Sequence, residues 1–136
     1  MANLEVKTGS VLFFKNFQFH NGEQADKLLI ILNDGGNKPY LVLRTTSQPH
    51  ASRQAKEGCH SEKGYYFIPA GRTWFSKGTW VLLYQPYELD AAKLIKASFE
   101  GMAYVTHCLN NELIRAIINC FKKSEDCSGY HLSLID

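Results

Sequence analysis

The sequence predicts a mainly β fold of the α+β kind: one small, strongly curved antiparallel sheet or barrel, finished by helices in its C-terminal half. Three observations carry this. Short runs of aromatic, aliphatic and β-branched residues recur between positions 11 and 84, separated by Gly, Asn and Asp clusters. From Asp90 onward the apolar spacing becomes helical. No Pro/Gly/Ser linker, repeat or low-complexity tract divides the 136 residues, which fit a single domain spanning 1–136.

The first strand is Val11-Leu12-Phe13-Phe14, continuing through Phe17 and Phe19, because mixed aromatic and β-branched content suits a half-buried pleated surface. Polar residues 20–26 read as a loop. Leu28–Leu32 is apolar on both faces and predicts a central strand covered on two sides. Asn33-Asp34-Gly35-Gly36-Asn37 is a turn, since these residue types tolerate the positive φ angles of a tight hairpin. Tyr40–Thr46 returns as its partner. Residues 47–64 form a long polar loop of the kind that is usually functional or mobile. Strands follow at Tyr65–Ile68 and Thr79–Tyr84.

Asp90 then caps a helix with Ala91, Leu94, Ile95 and Phe99 on one stripe, and Gly101 ends it. Met102–Val105 returns as an edge strand. Asn110 or Asn111 caps a last helix that packs Leu113, Ile114, Ile117, Ile118 and Phe121 on the sheet. Its Glu112 and Lys122-Lys123 suit the two ends of the helix dipole.

Composition excludes several classes. No apolar run approaches the ~18–20 residues of a membrane span, and the start has no signal-like stretch. The four cysteines (Cys59, Cys108, Cys120, Cys127) form no C-x-x-C pair, so reduced thiols and a cytoplasmic location are the expectation. Cys59-His60 and His107-Cys108 lack the two-to-four residue spacing of zinc ligands, and neighbours on a strand point to opposite faces. No metal and no cofactor is expected. The net charge of +2 is small, but residues 1–77 hold ten Lys/Arg against six Asp/Glu, and residues 78–136 five against seven. The β-rich part is mildly basic, which would help it hold a polyanion; an ordinary solvated surface accounts for the difference as well.

Several short strings, in order, resemble the MazF/PemK-type toxins of toxin–antitoxin pairs. They are Gly9-Ser10-Val11, Gly22-Glu23-Gln24, Lys27 before Leu28–Leu32, Asn33-Asp34, Thr46-Ser47, Gly78–Gln85, and Thr106–Leu109 before the last helix. The similarity spans roughly residues 9–121 and rests on the shared order of the strings. It implies an SH3-like barrel, usually dimeric, that cuts single-stranded RNA without metal and is neutralised by a cognate antitoxin protein. Products would be a 2′,3′-cyclic phosphate and a 5′-hydroxyl.

The residues can be weighed against that chemistry. Attack by a ribose 2′-hydroxyl needs a proton acceptor, a donor to the leaving 5′-oxygen, and positive charge on the phosphorane. Lys27 stands where the family has an Arg, and an ammonium cannot make the two-pronged phosphate contact of a guanidinium. Arg44 compensates in this reading. Strand alternation puts Arg44 and Thr46 on one face, away from Leu41 and Leu43. Lys27, Arg44 and Thr46 are therefore the candidate catalytic residues. Glu23, Gln24, Ser47 and Trp74 are the candidate substrate-binding residues. All are residue types that also populate plain exposed strands and loops.

Tyr40, Tyr65, Tyr66, Trp74 and Phe75 are of a type that stacks bases but more often fills the core or a dimer interface; most read as core, and Trp74 is the one expected to be exposed. The competing reading is a non-catalytic barrel that binds a protein or nucleic-acid partner, favoured by the Lys-for-Arg change. A gyrase-poison toxin ranks last, because Leu134-Ile135-Asp136 is not an aromatic ending.

Overall fold

The computed structural model describes residues 6–47 and 56–135. Its strands are β1 (Ser10–Gln18), β2 (Gln24–Ile31), β3 (Tyr40–Thr46), β4 (Gly58–His60), β5 (Tyr65–Ile68), β6 (Thr79–Leu82), β7 (Tyr87–Leu89) and β8 (Ala103–Cys108). The helices are α1 (Ala91–Phe99), α2 (Asn111–Lys123) and α3 (Gly129–Ile135), with a 3₁₀ turn at Ser61–Lys63. All strand pairs are antiparallel, in the order β4-β5-β6-β3-β2-β1-β8, and β7 adds to β3 off this path. The path is open, so the expected closed barrel gives way to a sheet with β4 and β8 at its ends. The mainly β architecture with helices late in the chain is as predicted.

The central hairpin shows why the sheet is covered twice. Ile30 pairs with Leu43 and Ile31 with Val42, and all four are fully buried. Alternation sends Ile30 and Leu43, with Val11 and Leu41, to one face, where Ile114, Ile117 and Phe121 of α2 and Leu134 of α3 cover them. It sends Leu29, Ile31 and Val42, with Leu12, to the other face, against Leu94 and Ala97 of α1 and Tyr87 and Leu89 of β7. Two-sided burial is what an unbroken apolar run at Leu28–Leu32 requires. Each such side chain contributes about 1.5–3 kcal/mol.

The turn is built differently from its expectation. Gly35 and Gly36 do take positive φ (81° and 76°). Asn33 instead works through its side chain: its amide donates to Pro39 O (3.0 Å) and Leu134 O (3.1 Å), and its oxygen accepts from Leu41 N (2.8 Å). One buried Asn thus closes the hairpin and ties α3 to it.

Asp90 and Asn110 cap α1 and α2 as read, accepting from Ala92 N (2.7 Å) and Leu113 N (2.8 Å). The α1 stripe is corrected. Leu94 and Ala97, three apart, face the sheet, so Ile95 and Phe99, on the neighbouring row, are 57% and 78% exposed. Residues 24–26, expected in the loop, open β2. Of the 47–64 loop, 48–55 lie outside the described residues, while 58–60 form β4. The short β7 and the seven-residue α3 carry too few periodic residues to be legible beforehand.

The expectation of reduced thiols is also corrected. Cys59 on β4 and Cys120 on α2 are joined in a disulfide, 61 positions apart in sequence. Cys108 and Cys127 carry thiols. No helix among the described residues is long and apolar enough to cross a membrane.

Candidate functional site

Strand β3 lies between β2 on one side and β7, over Tyr40–Val42, on the other. Up to Arg44, opposite Leu29, it pairs with β2; at Thr45 and Thr46 it pairs with Val81 and Trp80 of β6. Between them, Thr45 Oγ1 donates to Leu28 O (2.8 Å), so a side chain continues what the ladder leaves off. Where the β2–β3 ladder ends, a cleft of about 750 Å³ opens. Its floor follows from the pairing: Tyr104 of β8 and Leu28 of β2 both lie opposite Phe13 of β1. Its walls carry the hydroxyls of Thr45, Thr46, Ser47, Ser76, Thr79 and Thr106, the cations Lys27 and Lys77, and Asp26.

Two aromatic groups face this cleft with much of their surface open. Trp74 is 44% exposed, lies nearly parallel to His107 (13°, centroids 6.2 Å), and abuts Phe75 edge-on (5.3 Å). Tyr104 is 52% exposed and rests on Phe13 at 5.2 Å. Of the five aromatics weighed in the sequence, Trp74 is the exposed one, as expected; Tyr66 and Phe75 are core, and Tyr40 and Tyr65 are partly buried. Thr106 occupies the register shift between β1 and β8, and its hydroxyl donates to Val11 O (3.1 Å).

Arg44 is not among the cleft-lining residues. Alternation aims it, like Lys27, toward the face of Leu29, where its guanidinium lies 5.4–5.6 Å from the rings of Phe19, Tyr84 and Tyr87. Its Nη2 donates to Gln85 Oε1 at 3.5 Å, and its Nε is buried without a partner. Lys27 Nζ sits 5.9 Å from the Phe19 ring. Burial first, and then the Arg44 charge, hold the Lys27 ammonium below the ordinary lysine range. The ion pair Arg72–Glu57 involves neither cation. Two neighbouring cations without a carboxylate between them form a site prepared for an anion.

The structure therefore brings Lys27, Thr46, Ser47 and Trp74 to one cleft, and Lys27 to Arg44 behind it. Lys27 is common to both. Glu23 and Gln24 lie apart. Glu23 is exposed in the β1–β2 turn, its N–H bonded to Asn21 Oδ1 (3.0 Å), and Gln24 is exposed opposite Gln18. Sequence reasoning missed the partners of Arg44. Phe19 is carried there past a bulge at Asn16, whose φ of 56° departs from strand geometry. Tyr84 comes from the β6–β7 connection, and Tyr87 opens β7, which carried no signal of its own. Cys59 is committed to its disulfide, which removes one of the two adjacent Cys–His pairs from any metal site. No protein-family model and no curated protein sequence matches this chain.

Proposed function

We propose that the chain is a MazF/PemK-like endoribonuclease, built on an opened form of the SH3-like barrel, that binds and cuts single-stranded RNA. The observation carrying this reading is a pair of neighbouring cations, Lys27 at the edge of a cleft walled by hydroxyls and exposed rings and Arg44 behind it, neither in an ion pair with a carboxylate among the described residues. Single-stranded nucleic acid is held by that combination: positive charge along the backbone and flat side chains under the bases, each stacked base contributing about 1–3 kcal/mol.

In this reading Trp74 and Tyr104 hold bases, and Ser47 and Lys77 hold the strand. The scissile phosphate lies against Lys27. The ribose 2′-oxygen attacks phosphorus as it passes its proton to solvent water, the P–O5′ bond breaks, and the 5′-oxygen takes up a proton. A lysine whose ammonium is already disfavoured gives up that proton readily, so Lys27 is the proton donor. Thr46 positions the attacking hydroxyl, and Arg44 adds positive charge as the phosphorane forms. The chain would act as a homodimer with a cognate antitoxin protein as partner.

The test is cleavage of a defined RNA oligonucleotide in excess EDTA by protein free of contaminating nuclease. Cleavage leaving a 2′,3′-cyclic phosphate is expected, with Lys27→Met, Arg44→Met and Thr46→Val each losing roughly 100-fold or more. A second reading, a binding module without catalysis, is favoured by Arg44 facing the rings instead of the cleft. Tight RNA binding with no cleavage selects it. Neither binding nor cleavage rejects both.

A further inference from the structure

The rings behind Arg44 do more than the cleft reading asks of them. Tyr84 is 42% exposed although it lies next to a half-buried guanidinium, 5.5 Å away. A Cβ placed on Gly64 would come within 3.4 Å of Tyr84 Cδ1, so that edge of the ring is held against backbone. Gln85, the next residue, has φ of 54°, a left-handed conformation that residues other than glycine rarely adopt. Strain of this kind persists where the surroundings impose it and gathers at binding sites. Its side-chain amide reaches Arg44 at the outer limit of hydrogen bonding, 3.5 Å, while Arg44 Nε has no partner. A buried N–H without a partner and an exposed amide thus lie side by side, next to an exposed aromatic face and two cations.

A phosphate alone does not account for this set. An anion would satisfy Lys27 and Arg44 but leave Tyr84 open and the amide of Gln85 idle. A planar group with hydrogen-bonding edges, attached to a phosphate, uses all four residues. A base stacks on a tyrosine face whatever its identity, whereas an amide offers a donor and an acceptor together and so distinguishes one base edge from another.

We infer that Tyr84 and Gln85 form a nucleobase subsite behind Arg44, in which the base next to the phosphate held by Lys27 and Arg44 stacks on Tyr84 and is read at its edge by Gln85. This rests on the RNA reading above and adds a further base-binding position, on the far side of β3 from Trp74. RNA would then cross the end of β3, its bases divided between the two faces of the sheet.

The experiment is fluorescence-anisotropy binding of short single-stranded RNAs, with and without one abasic residue at each position in turn. Tyr84→Ala is expected to weaken binding of intact RNA about 5- to 150-fold, and Tyr84→Phe to restore it, because the stacking face is what matters. For one abasic position the Tyr84→Ala deficit should vanish, which identifies the base seated there. Gln85→Gly, which accepts the same φ freely, should keep total affinity within a few-fold and flatten the preference among A, C, G and U at that position. If Trp74→Ala weakens binding while Tyr84→Ala does not, the subsite is rejected and the RNA reading stands. A Tyr84→Ala deficit that persists at every abasic position also rejects it. If the wild-type chain binds no RNA, both fall together.

Discussion

The β2–β3 hairpin behaves as two structures along one pair of strands. Next to its turn, Ile30, Ile31, Val42 and Leu43 pair in register, point alternately into two covered faces, and expose nothing. Even the polar groups are matched there, because buried Asn33 makes three side-chain bonds. One residue past Leu43 on β3 and three before Ile30 on β2, roughly 3 and 10 Å along the strands at ~3.3 Å per residue, the open end carries Arg44 and Lys27, an unpartnered Nε, and a ladder that stops. The first end minimises free energy. The second is left with electrostatic cost the fold does not relieve, and such cost is retained where a ligand relieves it.

Breaking the turn end should give the largest effects. Leu43→Ala empties a fully buried position between β3 and α2, and a loss of about 2–5 kcal/mol is expected in urea unfolding. Asn33→Ala should follow at about 2–4 kcal/mol, because Leu41 N–H and the carbonyls of Pro39 and Leu134 lose their partner together. A loss below ~1 kcal/mol from Asn33→Ala would show that water replaces the amide and that α3 is held by other contacts.

The open end should answer in the opposite way. Arg44→Met keeps the length of the stem among Phe19, Tyr84 and Tyr87 while removing a charge that repels Lys27. Stability is expected to stay within ~1 kcal/mol of wild type, or to rise, while RNA binding falls at least tenfold. If stability drops as far as it does for Leu43→Ala, Arg44 is a packing residue and the contrast between the two ends fails.

The same contrast explains what was legible beforehand. Where burial decides, pattern suffices: Leu28–Leu32 announces its strand, Asn33–Asn37 its turn, and Asp90 and Asn110 their helices. The capped α1 misled in one respect, since spacing gives a stripe but not which neighbouring row meets the sheet, and Ile95 and Phe99 stayed outside. The site was half legible. Lys27, Thr46, Ser47 and Trp74 reach the cleft because they sit on or beside predictable strands. Arg44's place among rings was not, because Tyr84 lies past the end of β6 and Tyr87 arrives on a three-residue strand that pairs with β3 only in three dimensions. The Cys59–Cys120 bond was hidden for the same reason: it depends on β4 meeting α2, a contact between elements 61 positions apart.

Acid and base should separate the two ends most finely. Thr8 donates to Asp34 Oδ1 from its backbone N–H (2.9 Å) and then its hydroxyl (2.7 Å), holding the carboxyl at the turn below the usual Asp range. The stability this contributes is present above that range and is lost as pH falls through the lowered value. Lys27 is displaced downward as well, but for a cation the sign reverses. Folding disfavours its ammonium, by burial first and Arg44 second, so a penalty is present in full at neutral pH. Between the lowered value and the ordinary lysine range the unfolded chain holds more protons, and stability climbs with pH. Unfolding midpoints measured across pH for Asp34→Asn and Lys27→Met, each subtracted from wild type, cancel the other titrating groups. Wild type should lose its advantage over Asp34→Asn only in acid, and close its deficit to Lys27→Met only in alkali. A Lys27→Met difference that stays flat into the alkaline range would mean the ammonium is fully solvated when folded, leaving the cation pair without the electrostatic cost on which its ligand-binding role depends.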